Sequence, residues 1–253
     1  MGTHRRALQE APRLKLSIVV PAFNEERLLP ATLASIRAAA QAFEGAWQWE
    51  LIVCDNNSTD RTAEIARSFG AQVVFEPHNQ ISRARNRGAS AAAGDWILFV
   101  DADSNPSRAL FEDLRGAIES GRVLAGGSTV AADAATLSFR VAIGFWNAVS
   151  RSLHWAAGAF VYCEAAAFRD AGGFSEELYA TEELDLSGRL KRLAREQGKE
   201  FRILHRHPLV TSARKMHLYG WRELAPVFGR FLLRPRRMLR SAKDCSPWYD
   251  GRR

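Results

Sequence analysis

Short unbroken apolar runs alternate along the chain with stretches in which apolar residues return every three or four positions. "LSIVVPAF" (16–23) ends in a proline and reads as a buried strand and its exit. "LLPATLASIRAAAQAF" (28–43) places Leu29, Leu33, Ile36 and Phe43 near helical spacing. "WELIVCDNNS" (49–58) is a second strand running into a polar turn. "STDRTAEIARSFG" opens on helix-capping residues and stops at Gly70. "QVVFEP" predicts a third strand, "SRARNRGASAAAG" a small-residue helix, and "DWILFVDAD" a fourth strand. "SRALFEDLRGAIES" predicts a helix capped by Ser107.

The second half is less regular. "RVLAGGSTVAA" (122–132) predicts a strand, and 137–162 mixes helix-like and loop-like features. "CEAAAFRDAGGF" predicts a short helix ending at Gly172 and Gly173. "EELDLSGRLKRLAREQGK" predicts a helix with Leu186, Leu190 and Leu193 on one stripe, and "HPLV" a last strand.

Continuous rather than alternating apolar strands, separated by helices, predict an α/β fold. Its central sheet is Rossmann-like and mostly parallel, with helices on both faces. Ligands in such sheets bind beyond the carboxyl ends of the strands. Three strand ends deliver polar groups there: Asn24 and Glu25, Asp55 and Asn56, Asp101 and Asp103. The fingerprints GxGxxG and GxxxxGK[ST] are absent. Without a low-complexity linker, a single domain over 16–228 is expected. Its nucleotide-binding half covers about 16–105 and its acceptor half about 106–228. A polar leader (1–15) and a basic tail (229–253) flank it.

Composition sharpens this picture at the ends. The 253 residues are 47% apolar, enough for a real core. Cys54, Cys163 and Cys245 are scattered and odd in number, which suits a reducing compartment and no structural zinc. The leader lacks an apolar signal core and no run is long enough to span a bilayer, so a cytoplasmic protein is expected. Residues 214–253 hold eleven Lys/Arg against three Asp/Glu, so the net charge of +7 belongs to the tail. The segment 218–240 interleaves Trp221, Leu224, Phe228 and Phe231 with arginines. This permits peripheral contact with an anionic membrane at its inner face. No specific nucleic-acid partner is expected.

Asp101 and Asp103 stand at the tip of a buried strand. If the backbone stays extended, both side chains point the same way. Two hard oxygen ligands suit Mn²⁺ or Mg²⁺, which share their shell with waters and substrate phosphates.

Four stretches carry a family resemblance: "SIVVPAFNEERLLPATLASI", "ELIVCDNNSTDRTAEIA", "ISRARNRGASAAAGDWILFVDADS" and "AGGFSEELYATEELDLSGRLKRL". In this order and spacing the chain resembles a family 2 glycosyltransferase of GT-A fold, in a soluble subset. The resemblance implies a nucleotide-diphospho-sugar donor, a divalent metal and inversion at the anomeric carbon. It implies that Pro21, Ala22, Asn24 and Glu25 cradle the nucleoside, and that Asp55, beside Asn56, bonds the base. Arg85 and Asn86 would lie beside the donor. Asp101 would orient ribose and sugar, and Asp103 would hold the metal.

In "YATEELDLSGRL" the family usually has Glu-Asp, with the Asp as base. Here it is Glu182-Glu183, so Glu183 is expected as the base, ionised near neutral pH, with Glu182 or Asp185 as fallback. "TSARKMHLYGW" resembles a segment of the soluble subset. Arg214 and Lys215 would bind the diphosphate. His217 would be a third metal ligand, with His205 and His207 as rivals. The region 145–160, with Phe145, Trp146, Trp155 and Gly158, would cover an acceptor that is a saccharide, a lipid-linked group or a small molecule. Two other readings stay open: a GT-A-like nucleotidyltransferase, and a non-catalytic sugar-nucleotide or nucleic-acid binder.

Overall fold

The computed structural model describes residues 14–132, 137–156 and 158–212. Eight strands form one sheet in the order β3-β2-β1-β4-β7-β6-β8-β5. They are β1 (Lys15–Ala22), β2 (Gln48–Asp55), β3 (Gln72–Phe75), β4 (Trp96–Val100), β5 (Ser104–Asn105), β6 (Val123–Ala132), β7 (Phe160–Glu164) and β8 (Glu200–Thr211). The helices are α1 (Leu29–Ala39), α2 (Thr62–Ser68), α3 (Ile81–Ser90), α4 (Arg108–Glu119), α5 (Leu137–Leu153), α6 (Ala165–Asp170) and α7 (Glu182–Glu196).

The first four long strands pair in parallel around β1, as their unbroken apolar runs require. Alternate side chains feed two cores. Leu16, Ile18 and Val20 pack toward α1 and α4, while Val19, Ile52 and Phe99 pack toward α6 and α7. Gly88 of α3 sits so close to β1 that an added Cβ would meet Val19 Cγ1 at 2.4 Å. This contact sets Arg85, one turn earlier on α3, against the sheet.

The outer half departs from the parallel expectation. β7 runs antiparallel between β4 and β6, and β5 runs antiparallel to β8. Four of the seven neighbour pairings are parallel. The mixed region 137–162 resolves into α5, a turn and β7. The last strand begins at Glu200, well before "HPLV", because "EFRIL" pairs in parallel with β6. The stretch 28–43 ends in a 3₁₀ turn at Ala40–Phe43, where Phe43 stacks on Trp47 and Phe111. Ser107 caps α4, its hydroxyl accepting from Leu110 N at 3.2 Å.

Asp101–Ser104 is a turn and not an extended tip, closed by Ser104 N to Asp101 O at 3.1 Å. The face-sharing expected of Asp101 and Asp103 on a strand therefore does not apply. Ala159 O accepts from Asp101 N, Ser212 N donates to Asp103 O, and Thr32 Oγ1 donates to Ala102 O. Three separate parts of the chain hold this turn by its backbone.

Candidate functional site

The strand ends β1 and β2 are laced into one rim. Pro21 and Ala22 finish β1 beside Cys54 and Asp55. Asn24 adopts a left-handed backbone, and its Oδ1 accepts from Thr59 N at 2.8 Å. Its own N–H reaches Ser58 Oγ at 3.0 Å. Glu25 is buried, with its N–H on Thr62 Oγ1. Asp55 accepts from Ser58 N at 3.0 Å. Asn56 is spent on the next loop, donating to Glu76 O and His78 O and accepting from Gln80 N. Asn86 is likewise committed to 173–176, pairing with both backbone groups of Phe174.

The centre of the arrangement is Arg85, whose side chain is closed to water. One guanidinium nitrogen donates to Glu182 at 2.8 Å. The other donates to Asp101 and to Gly158 O, both at 2.9 Å. The plane lies 5.1 Å from the centre of the Phe174 ring. Its Nε finds no hydrogen-bond partner among the described residues. Arg85 thus joins the turn after β4, the segment before β7 and the start of α7. The two carboxylates keep it ionised despite burial. The sequence hid this role, although Ala84 and Gly88 flank Arg85 with small residues that allow close packing.

Glu183 completes the cluster, partly open to solvent. A Cβ at Gly158 would come within 3.4 Å of its carboxyl carbon. Burial, followed by the charge of Glu182, pushes the Glu183 carboxyl up from 4.5 to about 8. Burial also pushes Glu182 up, against the pull of Arg85. Burial and the neighbouring acid thus favour the protonated form of Glu183 more than its place at a helix start led one to expect. Thr181, which precedes the pair, holds a left-handed backbone at φ 64°. That conformation is costly for a β-branched residue.

Other candidates fall elsewhere. Asp185 points away and pairs with Arg189 at 2.6 Å. His207 pairs with Asp113 at 3.0 Å, and His205 faces its own strand at Ile203 O. Neither joins the acidic turn. Phe145 of α5 is 72% exposed. Arg214, Lys215, His217 and the basic tail lie outside the described residues. Among the described residues no three His, Cys, Asp or Glu side chains converge as a metal site. Asp101 and Asp103 are both partly open to solvent, on a turn fixed by its backbone. Their carboxylates are hard oxygen donors, the type that Mn²⁺ or Mg²⁺ takes together with phosphate and water.

Residues 17–172 match the model of Glycosyl transferase family 2. The chain belongs to this family. An uncharacterized family relative, a glycosyltransferase of Mycobacterium bovis, is 41% identical over 90 residues, 36% of this chain and 37% of the relative. The match thus spans between 24% and 37% of the length of the curated relatives. Two solved glycosyltransferase structures share the GT-A fold of this family 2 chain. TarS 1-349 of S. aureus in complex with UDP matches at TM-score 0.62 and 21% identity, over 79% of this chain and 61% of that one. Glucosyl-3-phosphoglycerate synthase of Mycobacterium tuberculosis, with Mn²⁺, UDP and glucosyl-3-phosphoglycerate, matches at 0.57 and 19%. That match covers 84% and 75% of the two chains. The family match ends at Gly172, so Glu182 and Glu183 lie beyond it. Among the described residues no helix of this family 2 chain is long and apolar enough to cross a membrane.

Proposed function

We propose that the chain transfers a sugar, with inversion, from a nucleotide-diphospho-sugar to an acceptor hydroxyl. The observation that carries this reading is the Arg85 bridge. It brings the acidic turn after β4 and the two glutamates of α7 into one cluster at the carboxyl end of the sheet.

In this reading Asp55 receives the base of the donor, on the rim built by Pro21, Ala22, Asn24 and Glu25. UDP in the two solved structures supports a uridine nucleotide. Asp103, with Asp101, would hold a Mn²⁺ or Mg²⁺ ion, whose Lewis acidity supplies charge neutralisation at the departing diphosphate. Mn²⁺ in the synthase structure supports such an ion. Arg85, closed to water, positions Asp101 and Glu182. Glu183 takes the proton of the acceptor hydroxyl as it attacks the anomeric carbon from the face opposite the leaving group. A base must be deprotonated when it acts, so the raised pKa of Glu183 sets the pH at which transfer becomes efficient.

Incubation with UDP- and GDP-sugars and Mn²⁺ tests the reading. Slow release of free nucleotide diphosphate, accelerated by an acceptor in the wild type but not in Glu183→Gln, supports it. Pyrophosphate exchange would instead identify a nucleotidyltransferase, and binding without turnover a sugar-nucleotide binder.

A further inference from the structure

Past the catalytic end of α7, the end of α5, the second half of α7 and the start of β8 enclose a cavity of about 520 Å³. Arg151, Lys191, Arg195, Lys199 and Arg202 line it, and Glu200 is the acid in its wall. Two of these cations are answered. Lys199 pairs with Glu164, and Arg202 pairs with Glu200 at 2.6 Å. Among the described residues the other three pair with no acid. Lys191 donates to Leu153 O at 2.6 Å and lies 6.0 and 5.6 Å from the ring centres of Trp155 and Phe201. Arg151 and Arg195 form no ion pair with any described residue. Partial burial, followed by the charge of Arg195, pushes the Lys191 ammonium down.

Like charges gathered in a concavity repel unless an anion joins them. A guanidinium offers a planar fork that matches the oxygens of a phosphate, and an ammonium adds a point charge. The volume lies in the ordinary range for a small-molecule site. Lys191 and Arg195 follow Glu183 by eight and twelve residues on α7, about 12 and 18 Å along the helix axis. This cavity is therefore separate from the rim that would take a nucleotide. We propose that it is a second ligand site, one that binds a phosphate-ester group. Half-exposed Leu153 at its lip gives the headgroup of an anionic lipid as good a fit as a soluble phosphate ester.

Calorimetry of the full chain with glycerol 3-phosphate, and co-sedimentation with phosphatidylglycerol or phosphatidylcholine vesicles, separate the two sources. Arg151→Gln/Arg195→Gln should weaken binding by about tenfold or more, since each guanidinium supplies charge-assisted hydrogen bonds. The charge-matched Arg108→Gln/Arg169→Gln, on α4 and α6, should bind like the wild type. Arg151→Gln alone, at the exposed end of α5, should give an intermediate loss and guards against misfolding of the double variant. Variant-dependent binding of glycerol 3-phosphate alone assigns a soluble ester. Variant-dependent recovery with phosphatidylglycerol, and none with phosphatidylcholine, assigns a lipid headgroup. Equal behaviour of the two double variants in both measurements, whether unchanged or equally weakened, overturns the proposal.

Discussion

Arg85 on α3 meets Glu182, the first residue of α7, at 2.8 Å, with both side chains nearly closed to water and 97 positions apart in the chain. A buried pair of this kind adds little net stability, but losing one partner strands the other's charge. Arg85→Met should therefore destabilise the fold by about 3–5 kcal/mol in denaturant unfolding. Arg85→Met/Glu182→Gln should recover part of that loss. If the double variant is no more stable than Arg85→Met, the ion pair is not the source of the cost.

The second prediction concerns Glu183 in catalysis. Glu183→Gln should lower transfer by roughly 10²–10⁴-fold, the usual range for loss of a general base. Donor affinity should barely change. In the wild type, transfer should rise with pH and level off above about 8, where the carboxyl has lost its proton. A rate flat from pH 6 to 9 would count against this base.

The same residue ties stability to pH. Its carboxyl holds a proton more tightly folded, at about 8, than unfolded, at 4.5. The stabilising contribution of that proton is complete below 4.5 and is lost as pH rises through 8. Glu183→Gln cannot ionise, so its stability should fall less over this interval than that of the wild type. Melting midpoints of both proteins across the interval measure the difference.

Asp103→Asn should remove metal-dependent donor binding while leaving the fold intact, because the change lies on a partly open turn held by backbone hydrogen bonds. Titration calorimetry with UDP and Mn²⁺ reads the loss. Undiminished Mn²⁺-dependent affinity would exclude this residue as the ligand.

Gly88→Ala should cost about 1–3 kcal/mol, as overpacking does, since its Cβ would overlap Val19. It should also depress turnover more than the stability loss explains, because Arg85 rides on the same helix. Turnover measured well below the melting midpoint separates the two effects.

The parallel half was legible in the sequence because β1, β2 and β4 carry unbroken buried apolar runs that lead into polar residues. Asp55 and Asp101 stood out for that reason, whereas Glu183 stood out only through the family resemblance of "YATEELDLSGRL". What local pattern could not reveal was pairing between distant segments. Arg85 reads as one arginine among several in "SRARNRG", and only tertiary packing shows that it alone is enclosed. At Asp101–Ser104 the sequence left a turn and an extended tip both open, because "DAD" continues an apolar strand while "DSNP" is good turn chemistry. The backbone groups that bend it come from Ala159 and Ser212. Glu183 was expected to be ionised because its helix position was visible and its crowding by Glu182 inside the fold was not.

The antiparallel strand β7 has a consequence for how the chain is made. β4 is apolar on both faces, and its outer edge is completed only by Phe160–Glu164, about sixty residues later. During synthesis, once residue 100 has emerged, this edge stays unpaired until that segment arrives. A bare, flat apolar edge is the element most prone to recruit a strand from another chain. A fragment ending near residue 132 should therefore aggregate and not fold as a small nucleotide-binding unit. The first hundred residues depend on the second hundred for solubility before they depend on them for chemistry.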